Sequence, residues 1–260
     1  MAAPRDIATR RAPFRRRIPS RCPDPLSQQE RAMLLKRSQI NASIELAMAT
    51  FREHGIGLPE FAFWTADDWR TKGHEADEIR DCMLGWDVTD FGQGDFTKIG
   101  RTLFTLRNGS MRHRGYEKSY AEKLILDPEG QRSPAHFHRT KMEDIIDRAG
   151  GNILVQLQKA GADNDRSDEP FTIRVDGIAR RLNPGDIIRL KPGQSVCIPP
   201  RTIHQFWGED GTGLTVSGEV SSLCDDHADN CFLEPSARFP EIDEDEARRY
   251  FLCNEYPQAS

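Results

Sequence analysis

Long apolar runs are missing from this chain of 260 residues, of which 37% are hydrophobic and 30% charged. No uninterrupted apolar stretch approaches the roughly 20 residues that a membrane-spanning helix needs. The N-terminus also lacks the apolar centre of a secretory signal. The sequence therefore predicts a soluble, cytoplasmic globular protein of one large or two small domains, with no membrane partner.

Cysteine is sparse and irregularly placed. The chain has no C-x-x-C pair and no compact cysteine framework, which excludes a small protein held together by disulfides. The six cysteines are Cys22, Cys82, Cys197, Cys224, Cys231 and Cys253. We expect all of them to be reduced thiols.

Charge is unevenly distributed along the chain. The formal net charge is −5, but residues 1–21 carry seven Arg and one acid, so the remainder has a net charge of −11. Such an acidic body disfavours nucleic acid as a partner. We expect residues 1–26 to be a basic, disordered leader, or to follow from a start codon placed too far upstream. An organelle transit peptide is the alternative.

The N-terminal third is predicted to be largely helical. Ser27 begins a Ser-x-x-Glu capping box, and apolar residues recur at helical spacing over 28–54, with a break near 38–41. Thr65 opens a second, weaker helix that should reach about Cys82.

From Gly85 onward, short runs of β-forming residues alternate with turn residues, which is typical of an antiparallel sandwich or barrel. An Asp-Gly pair at 176–177 lies between two such runs and predicts a two-residue hairpin. A second hairpin, centred on the loop 208–213, would pair His204 with Glu219 and turn both side chains to one face.

The chain has only seven histidines, yet two of them, His136 and His138, are spaced so that a β-strand places both on one face. Glu143 follows at a distance that lets the chain turn back beside them, and His204 opens another predicted strand. Three imidazoles and one carboxylate suit Mn, Fe, Co, Ni or Zn, with positions left for water or substrate. We therefore predict a metal site.

These residues resemble the two motifs of the cupin superfamily. The matching anchors are Gly130, His136, His138, Glu143 and Gly150 in the first motif, and Gly193, Pro199 and His204 in the second. The second motif differs at two positions, because this chain has Arg201 where cupins usually have Gly, and Gly208 where they usually have Asn. The resemblance implies a mainly β protein, a cupin (jelly-roll) barrel with N-terminal helices.

A narrower resemblance, over most of 36–256, is to the D-lyxose isomerases, which are cupin sugar isomerases. It rests on the segments 36–41, 61–64, 136–151, 218–221, 230–234 and 238–241. The resemblance implies an enzyme that interconverts the small-molecule sugars D-lyxose and D-xylulose, and that often acts on D-mannose and D-fructose too. It also implies a homodimer.

The same resemblance assigns roles to site residues. It implies that Mn²⁺, or another divalent ion such as Co²⁺, Fe²⁺, Ni²⁺ or Zn²⁺, is held by the three histidines and Glu143. Lys141 would contact the sugar. Apart from the resemblance, the residues themselves make Trp207, Glu219, Glu234 and Arg238 further candidates for substrate binding. A core position is the alternative for Trp207, and a surface salt bridge is the alternative for Glu234.

The expected reaction passes through a cis-enediol, with a carboxylate moving the proton between C2 and C1. Glu219, Glu234 or Glu143 could be that base, and the sequence does not choose among them. Lys141 would stabilise negative charge that develops on oxygen.

We predict one cupin domain over 27–260, with a helical part at 27–84, the barrel at 85–220 and a loop-rich C-terminal strap at 221–260. The ligand set leaves two other functions open. An Fe-dependent cupin dioxygenase would use the same four ligands, and a sugar-binding cupin would hold a sugar without turnover.

Overall fold

The computed structural model describes residues 34–113, 115–224 and 229–259. The predicted leader at 1–26 and the capping box that starts at Ser27 lie outside these residues. Within the described part of the chain, no helix combines the length and the apolar character needed to cross a membrane.

The first helix, α1 (Arg37–Glu53), lies inside the predicted 28–54 segment. Its buried apolar residues form one stripe along the helix, as expected for a helix that packs against a core. The stripe consists of Ile40, Ile44, Ala47 and Phe51. The break predicted near 38–41 does not occur. Asn41 in that stretch donates a side-chain hydrogen bond to Ala247 O at 3.0 Å, so a polar residue is accommodated by the C-terminal segment without interrupting the helix.

The second predicted helix is correct at its start and wrong in its length. The Thr65 side chain caps α2 (Ala66–Trp69), but the chain unwinds before it forms α3 (Asp77–Asp81). Arg80 donates to Gly73 O at 2.8 Å, so a carbonyl of the unwound stretch keeps a partner. Two 3-10 turns complete this region, Glu60–Phe63 and His74–Ala76.

The regular structure in the rest of the described chain consists of β-strands, and these pair antiparallel except for β1 (Leu35–Lys36) with β15 (Ile242–Asp243). The strands are β1 Leu35–Lys36, β2 Gly85–Thr89, β3 Arg101–Arg107, β4 Tyr120–Asp127, β5 His136–His138, β6 Glu143–Gly150, β7 Ile153–Lys159, β8 Phe171–Val175, β9 Ile178–Leu182, β10 Ile187–Leu190, β11 Ser195–Ile198, β12 Thr202–Gly208, β13 Thr215–Ser222, β14 Asn230–Phe232 and β15 Ile242–Asp243. An eight-stranded sheet has the order β2-β3-β4-β13-β6-β11-β8-β9, a five-stranded sheet has the order β10-β7-β12-β5-β14, and β1 pairs with β15. This is the mainly β cupin barrel with N-terminal helices that the sequence predicted.

Strands β3 and β4 contribute to two hydrophobic clusters because their side chains alternate between the two faces of the sheet. Leu103 and Ile125 belong to the cluster between the two large sheets. Their neighbours Phe104 and Leu124 belong to a second cluster that includes the buried stripe of α1. The helix therefore packs directly on the outer face of the barrel.

The hairpin predicted at 176–177 is confirmed. Val175 pairs with Ile178 at the end of β8 and the start of β9. Asp176 and Gly177 have φ angles of +48° and +78°. Two positive φ angles are what a type I′ turn requires, and that turn matches the twist of the strands it joins.

The second predicted hairpin is wrong. Strand β12, which contains His204, pairs with β7 and β5. Strand β13, which contains Glu219, pairs with β4 and β6 in the other sheet. The loop 209–214 crosses from one sheet to the other, so the two residues are not cross-strand partners. Both side chains nevertheless line the space between the sheets.

The two departures from the cupin pattern have local explanations. Arg201, which replaces the usual Gly, has a φ of +59° and so adopts the left-handed conformation that glycine favours. Its guanidinium donates to Asn164 Oδ1 at 2.9 Å. At Gly208, a Cβ atom would lie 2.7 Å from Asp127 O, so the close approach of β12 to the loop after β4 requires glycine there.

The C-terminal segment is tied to the N-terminal one by ion pairs around a buried arginine. The Arg37 guanidinium is fully buried and lies 2.8 Å from Glu244 and 2.5 Å from Glu255. Hydrogen bonding from Arg37 lowers the pKa of Glu244 to about 2. Close by, Leu35 of β1 pairs with Ile242 of β15 in parallel.

Candidate active site

Three histidines meet inside the barrel. His136 and His138 lie on β5, and His204 of β12 is directly paired with His136. The ring centroid of His136 lies 4.3 Å from that of His204 and 5.2 Å from that of His138. One nitrogen from each ring can be chosen so that all three lie within 4.8 Å of one another, so these residues could hold a metal ion.

Backbone carbonyls set the orientation of two of these rings. His136 Nδ1 lies 2.9 Å from Pro134 O, and His204 Nδ1 lies 2.9 Å from Thr202 O. A carbonyl oxygen only accepts hydrogen bonds, so each Nδ1 carries a proton, and in the neutral imidazole each Nε2 then keeps a free lone pair. Burial also lowers the pKa of His136 well below its usual value, which keeps its imidazole neutral. Neutral imidazole is the form that binds a metal.

Glu143 begins β6 and brings its carboxylate to the histidines. Oε1 lies 2.9 Å from His204 Nε2, and Oε2 lies 3.3 Å from His138 Nε2. Oε1 is buried and receives no hydrogen bond from any described residue. Two atoms that both present lone pairs at this distance are suited to a shared cation, because neighbouring ligand atoms on a divalent ion with bonds of about 2.1 Å lie roughly 3 Å apart. The donor set therefore fits a divalent metal.

A lysine links this carboxylate to a second one. Lys141 Nζ lies 2.7 Å from Glu143 Oε2 and 2.9 Å from Glu219 Oε1. Burial by itself would raise the pKa of Glu143, but the nearby ammonium group of Lys141 and the histidines lower it well below its usual value. Glu143 is therefore a carboxylate at neutral pH.

Lys123 is a second buried cation at the site, and sequence reasoning missed it. Its Nζ lies 3.2 Å from Glu219 Oε1 and 3.3 Å from Cys224 Sγ. Burial would raise the pKa of Glu219, but Lys123 and then Lys141 lower it below its usual value. A signal was available, since Lys123 lies between Ala121 and Ile125 on the inward face of β4, where apolar residues are the rule.

A cavity of about 510 Å³, including the open space at its mouth, surrounds these groups. Its lining includes the three histidines, both glutamates, both lysines, Arg101 and Arg238. Arg101 was also missed by sequence reasoning. It is held in place by an ion pair with Asp127 and by hydrogen bonds to Ser133 Oγ at 3.2 Å and Phe206 O at 3.3 Å.

The structure separates the remaining candidates. Arg238 lines the cavity and forms an ion pair with Asp87. Glu234 is exposed and lies in a groove on the outside, together with Phe137 and Arg139. Trp207 is buried outside the cavity lining, with the Arg132 guanidinium 4.0 Å from its ring centroid.

The barrel and its inward-facing histidines, glutamates and lysines define an enzyme built on the cupin fold. The fold is similar to that of the L-ribose isomerase of Cellulomonas parahominis, solved with L-ribose, at a TM-score of 0.53 and 14% identity over 82% of this chain and 98% of that one. The L-ribose isomerase of Acinetobacter sp. DL28 has a TM-score of 0.52 at 16% identity, over 79% of this chain and 95% of that one.

The chain belongs to the D-lyxose isomerase family, whose model matches residues 35–256. It is 44% identical over 225 residues to the D-lyxose/D-mannose isomerase of Escherichia coli O157:H7, covering 86% of this chain and 99% of that protein. It is 42% identical over 223 residues to the enzyme of the same name from Serratia proteamaculans, covering 85% and 98%. The protein is therefore a sugar isomerase of the D-lyxose/D-mannose isomerase type.

Proposed function

We propose that this protein interconverts D-lyxose with D-xylulose, and D-mannose with D-fructose, as a metal-dependent aldose–ketose isomerase. The observation that carries the proposal is the contact of Lys141 with both Glu143 and Glu219, beside three imidazole Nε2 atoms in one cavity. The substrates follow from the names of the two relatives that share more than 40% of their residues with this chain.

We propose that His136, His138, Glu143 and His204 hold the metal, with Mn²⁺ as the expected ion. When bound, a divalent ion polarises the sugar oxygens and stabilises the negative charge of an enediolate. Three nitrogens and one oxygen also suit Co²⁺, Fe²⁺, Ni²⁺ and Zn²⁺. All four side chains are buried or half-buried, so they are held in place before any ligand enters.

Glu219 is the base that the geometry favours. Its carboxylate lies in the cavity and its lowered pKa keeps it ionised, whereas Glu234 is exposed in a separate groove and Glu143 faces the histidines. Glu219 would take the proton from C2 and return it to C1. A single carboxylate that moves a proton between adjacent carbons on one face of the sugar produces the cis-enediol route.

Lys141 would transfer the protons on the sugar oxygens O1 and O2. Its Nζ donates to O1 as the aldehyde carbonyl becomes a hydroxyl, and it recovers a proton from O2 as that hydroxyl becomes the ketone. The two transfers balance, so the ammonium group is unchanged after each turnover. Its contacts with Glu143 and Glu219 hold Nζ between the ligand carboxylate and the base.

Arg238 and Lys123 complete the proposed sugar site. Arg238 lines the cavity, with its guanidinium held by Asp87. Lys123 is oriented by Glu219 and Cys224. Both offer N–H donors to sugar hydroxyls. We further propose that the enzyme works as a homodimer, which light scattering of the purified protein tests, and that it is cytoplasmic, which fractionation of the source cells tests.

The test is to strip the protein with a chelator, reload it with Mn²⁺, and incubate it with D-lyxose and D-mannose in D₂O. We expect ketose to form only after reloading, with deuterium incorporated at C1 of the ketose. Omission of O₂ should change nothing, whereas a strict requirement for Fe²⁺ and O₂ would establish the dioxygenase instead. Tight sugar binding with no ketose and no exchange would identify a sugar-binding cupin.

A further inference from the structure

Asp229 reaches the site from the C-terminal segment. It immediately precedes β14, and its side chain lies against the loop between β5 and β6. Oδ1 accepts hydrogen bonds from Thr140 N and Thr140 Oγ1, each at 2.9 Å, and Oδ2 accepts one from Lys141 N at 3.0 Å. Its own carbonyl accepts from Arg139 N at 3.2 Å. Asp229 therefore anchors the segment that carries Lys141.

The same carboxylate faces one of the histidines. His138 Nδ1 lies 3.9 Å from Asp229 Oδ2, and this buried nitrogen has no hydrogen-bond partner among the described residues. His136 and His204 differ in this respect, because each donates its Nδ1 proton to a carbonyl two residues earlier in the chain. One histidine of the three is thus left without a backbone anchor.

We infer that Asp229 is a positioning residue that orients His138 for metal binding and holds Lys141 beside Glu143 and Glu219. The inference rests on the proposed function, because it requires His138 to bind a metal through Nε2. A ligand bound at Nε2 must carry its proton on Nδ1, and that N–H needs an acceptor. Shortening the contact from 3.9 Å by about 1 Å, a small rotation of either side chain, makes Asp229 that acceptor.

The two oxygens of Asp229 divide its roles. Among the described residues, Oδ1 is used by Thr140 alone, whereas Oδ2 serves Lys141 and faces His138. In Asp229→Asn, an amide oxygen at the Oδ1 position keeps both bonds to Thr140. The amide nitrogen at the Oδ2 position can then accept neither the Lys141 N–H nor an N–H from His138. Thr140→Val is the matched control, because it removes one bond on the Oδ1 side and leaves Oδ2 intact.

The experiment measures Mn²⁺ affinity by chelator competition on the full chain, together with kcat and KM on D-lyxose. We expect Asp229→Asn to lose about 10- to 100-fold in Mn²⁺ affinity, the range typical of residues that orient a metal ligand. At saturating Mn²⁺ its kcat should still be reduced, since Lys141 is displaced, while KM changes less. Thr140→Val should lose less than about threefold in affinity, within the spread of a single surface hydrogen bond.

Equal affinity of Asp229→Asn and the unmodified protein would overturn the inference. An equal loss in both variants would also overturn it, because Asp229 would then act only by tethering the loop. The same measurements on the unmodified protein test the proposed function separately. If the unmodified protein binds no Mn²⁺ and makes no ketose, the proposed function is wrong, whatever the variants do.

A measurement on the unmodified protein covers the case in which Asp229→Asn does not fold. Imidazole nitrogen NMR of the Zn²⁺-loaded protein should show His138 protonated at Nδ1, with the strongly deshielded proton of a hydrogen bond to a carboxylate. A proton at Nε2, or an Nδ1 proton exchanging freely with water, would contradict the inference.

Discussion

His204 Nε2 lies 2.9 Å from Glu143 Oε1, and when the imidazole is neutral neither atom has a proton to share. In the neutral ring the His204 proton is on Nδ1, where Thr202 O accepts it. Glu143 is ionised because its charged neighbours together, Lys141 the strongest, outweigh burial and hold its pKa well below its usual value. Two facing lone pairs repel each other unless a cation lies between them. The contact therefore makes metal binding the central property of the site to test.

Removing His204 should lower metal content and activity together. His204→Ala deletes one of the four proposed ligands, so we expect a loss of Mn²⁺ affinity larger than the roughly 10- to 100-fold that changes around a ligand produce. The barrel's apolar core is untouched, so the metal-free variant should keep its far-UV circular dichroism. Metal analysis after dialysis gives the result. His74→Ala is the control, since the His74 side chain is 83% exposed, and normal metal content in His204→Ala would contradict the assignment.

Replacing Glu219 by Gln should abolish turnover without removing the metal. A neutral amide cannot accept the C2 proton, so kcat should fall about 100- to 10,000-fold, the usual contribution of a general base. Mn²⁺ content should stay unchanged, because Glu219 contacts Lys123 and Lys141 and none of the proposed ligands. Exchange of the C2 proton with D₂O depends on the same proton transfer, so its rate should fall with kcat. Glu234→Gln should have the kcat of the unmodified protein. If instead Glu234→Gln lost turnover and Glu219→Gln kept it, the base would be assigned to Glu234 in the outer groove.

Lys123→Met should shift the pH dependence of the reaction. Glu219 must be ionised to act, so activity is present above its pKa and is lost as pH falls through that value. Lys123 and Lys141 lower this pKa against the effect of burial. With Lys123 gone, burial remains and one cation is lost, so the acid limb of kcat/KM against pH should move to higher pH. An unmoved acid limb would show that another group controls it.

Asp147 should make the protein less stable as pH rises. Burial, followed by the negative charge of Asp127, raises the pKa of Asp147 from 3.8 to about 7. Between these two values the folded protein binds a proton that the unfolded chain does not. The free energy of unfolding should then fall by about 1.4 kcal/mol for each pH unit in that window, through this group alone. Asp147→Asn removes that dependence.

Urea denaturation at pH 5 and pH 8 checks the effect of Asp147. Asp147→Asn should gain stability relative to the unmodified protein as pH increases, with the larger difference at pH 8. The same difference at both pH values would show that the folded and unfolded states titrate alike at this position.

Local patterns predicted some features because they depend on neighbours in the chain. His136 and His138 share a face because strand side chains alternate, and the Asp-Gly pair at 176–177 forms its turn because both residues tolerate positive φ. The start of the helix after Thr65 follows from its side-chain cap. The length of that helix does not, because the side chain of Arg80, from the next helix, takes the carbonyls of Lys72 and Gly73 as its hydrogen-bond acceptors.

The amino-acid sequence by itself determined the barrel, the family and the shared face of His136 and His138, since period-two alternation along a strand needs no distant contact. Only the tertiary structure decided which other groups join the site. Lys123 is recruited because β4 and β13 are neighbours, and Asp229 because β14 pairs with β5. Glu234 is left outside for the same reason, since it lies past the end of that short strand. Burial keeps these charges close together and unscreened by water. Strand pairing between segments far apart in the chain therefore selects the groups that surround the proposed metal ligands, and local sequence pattern does not.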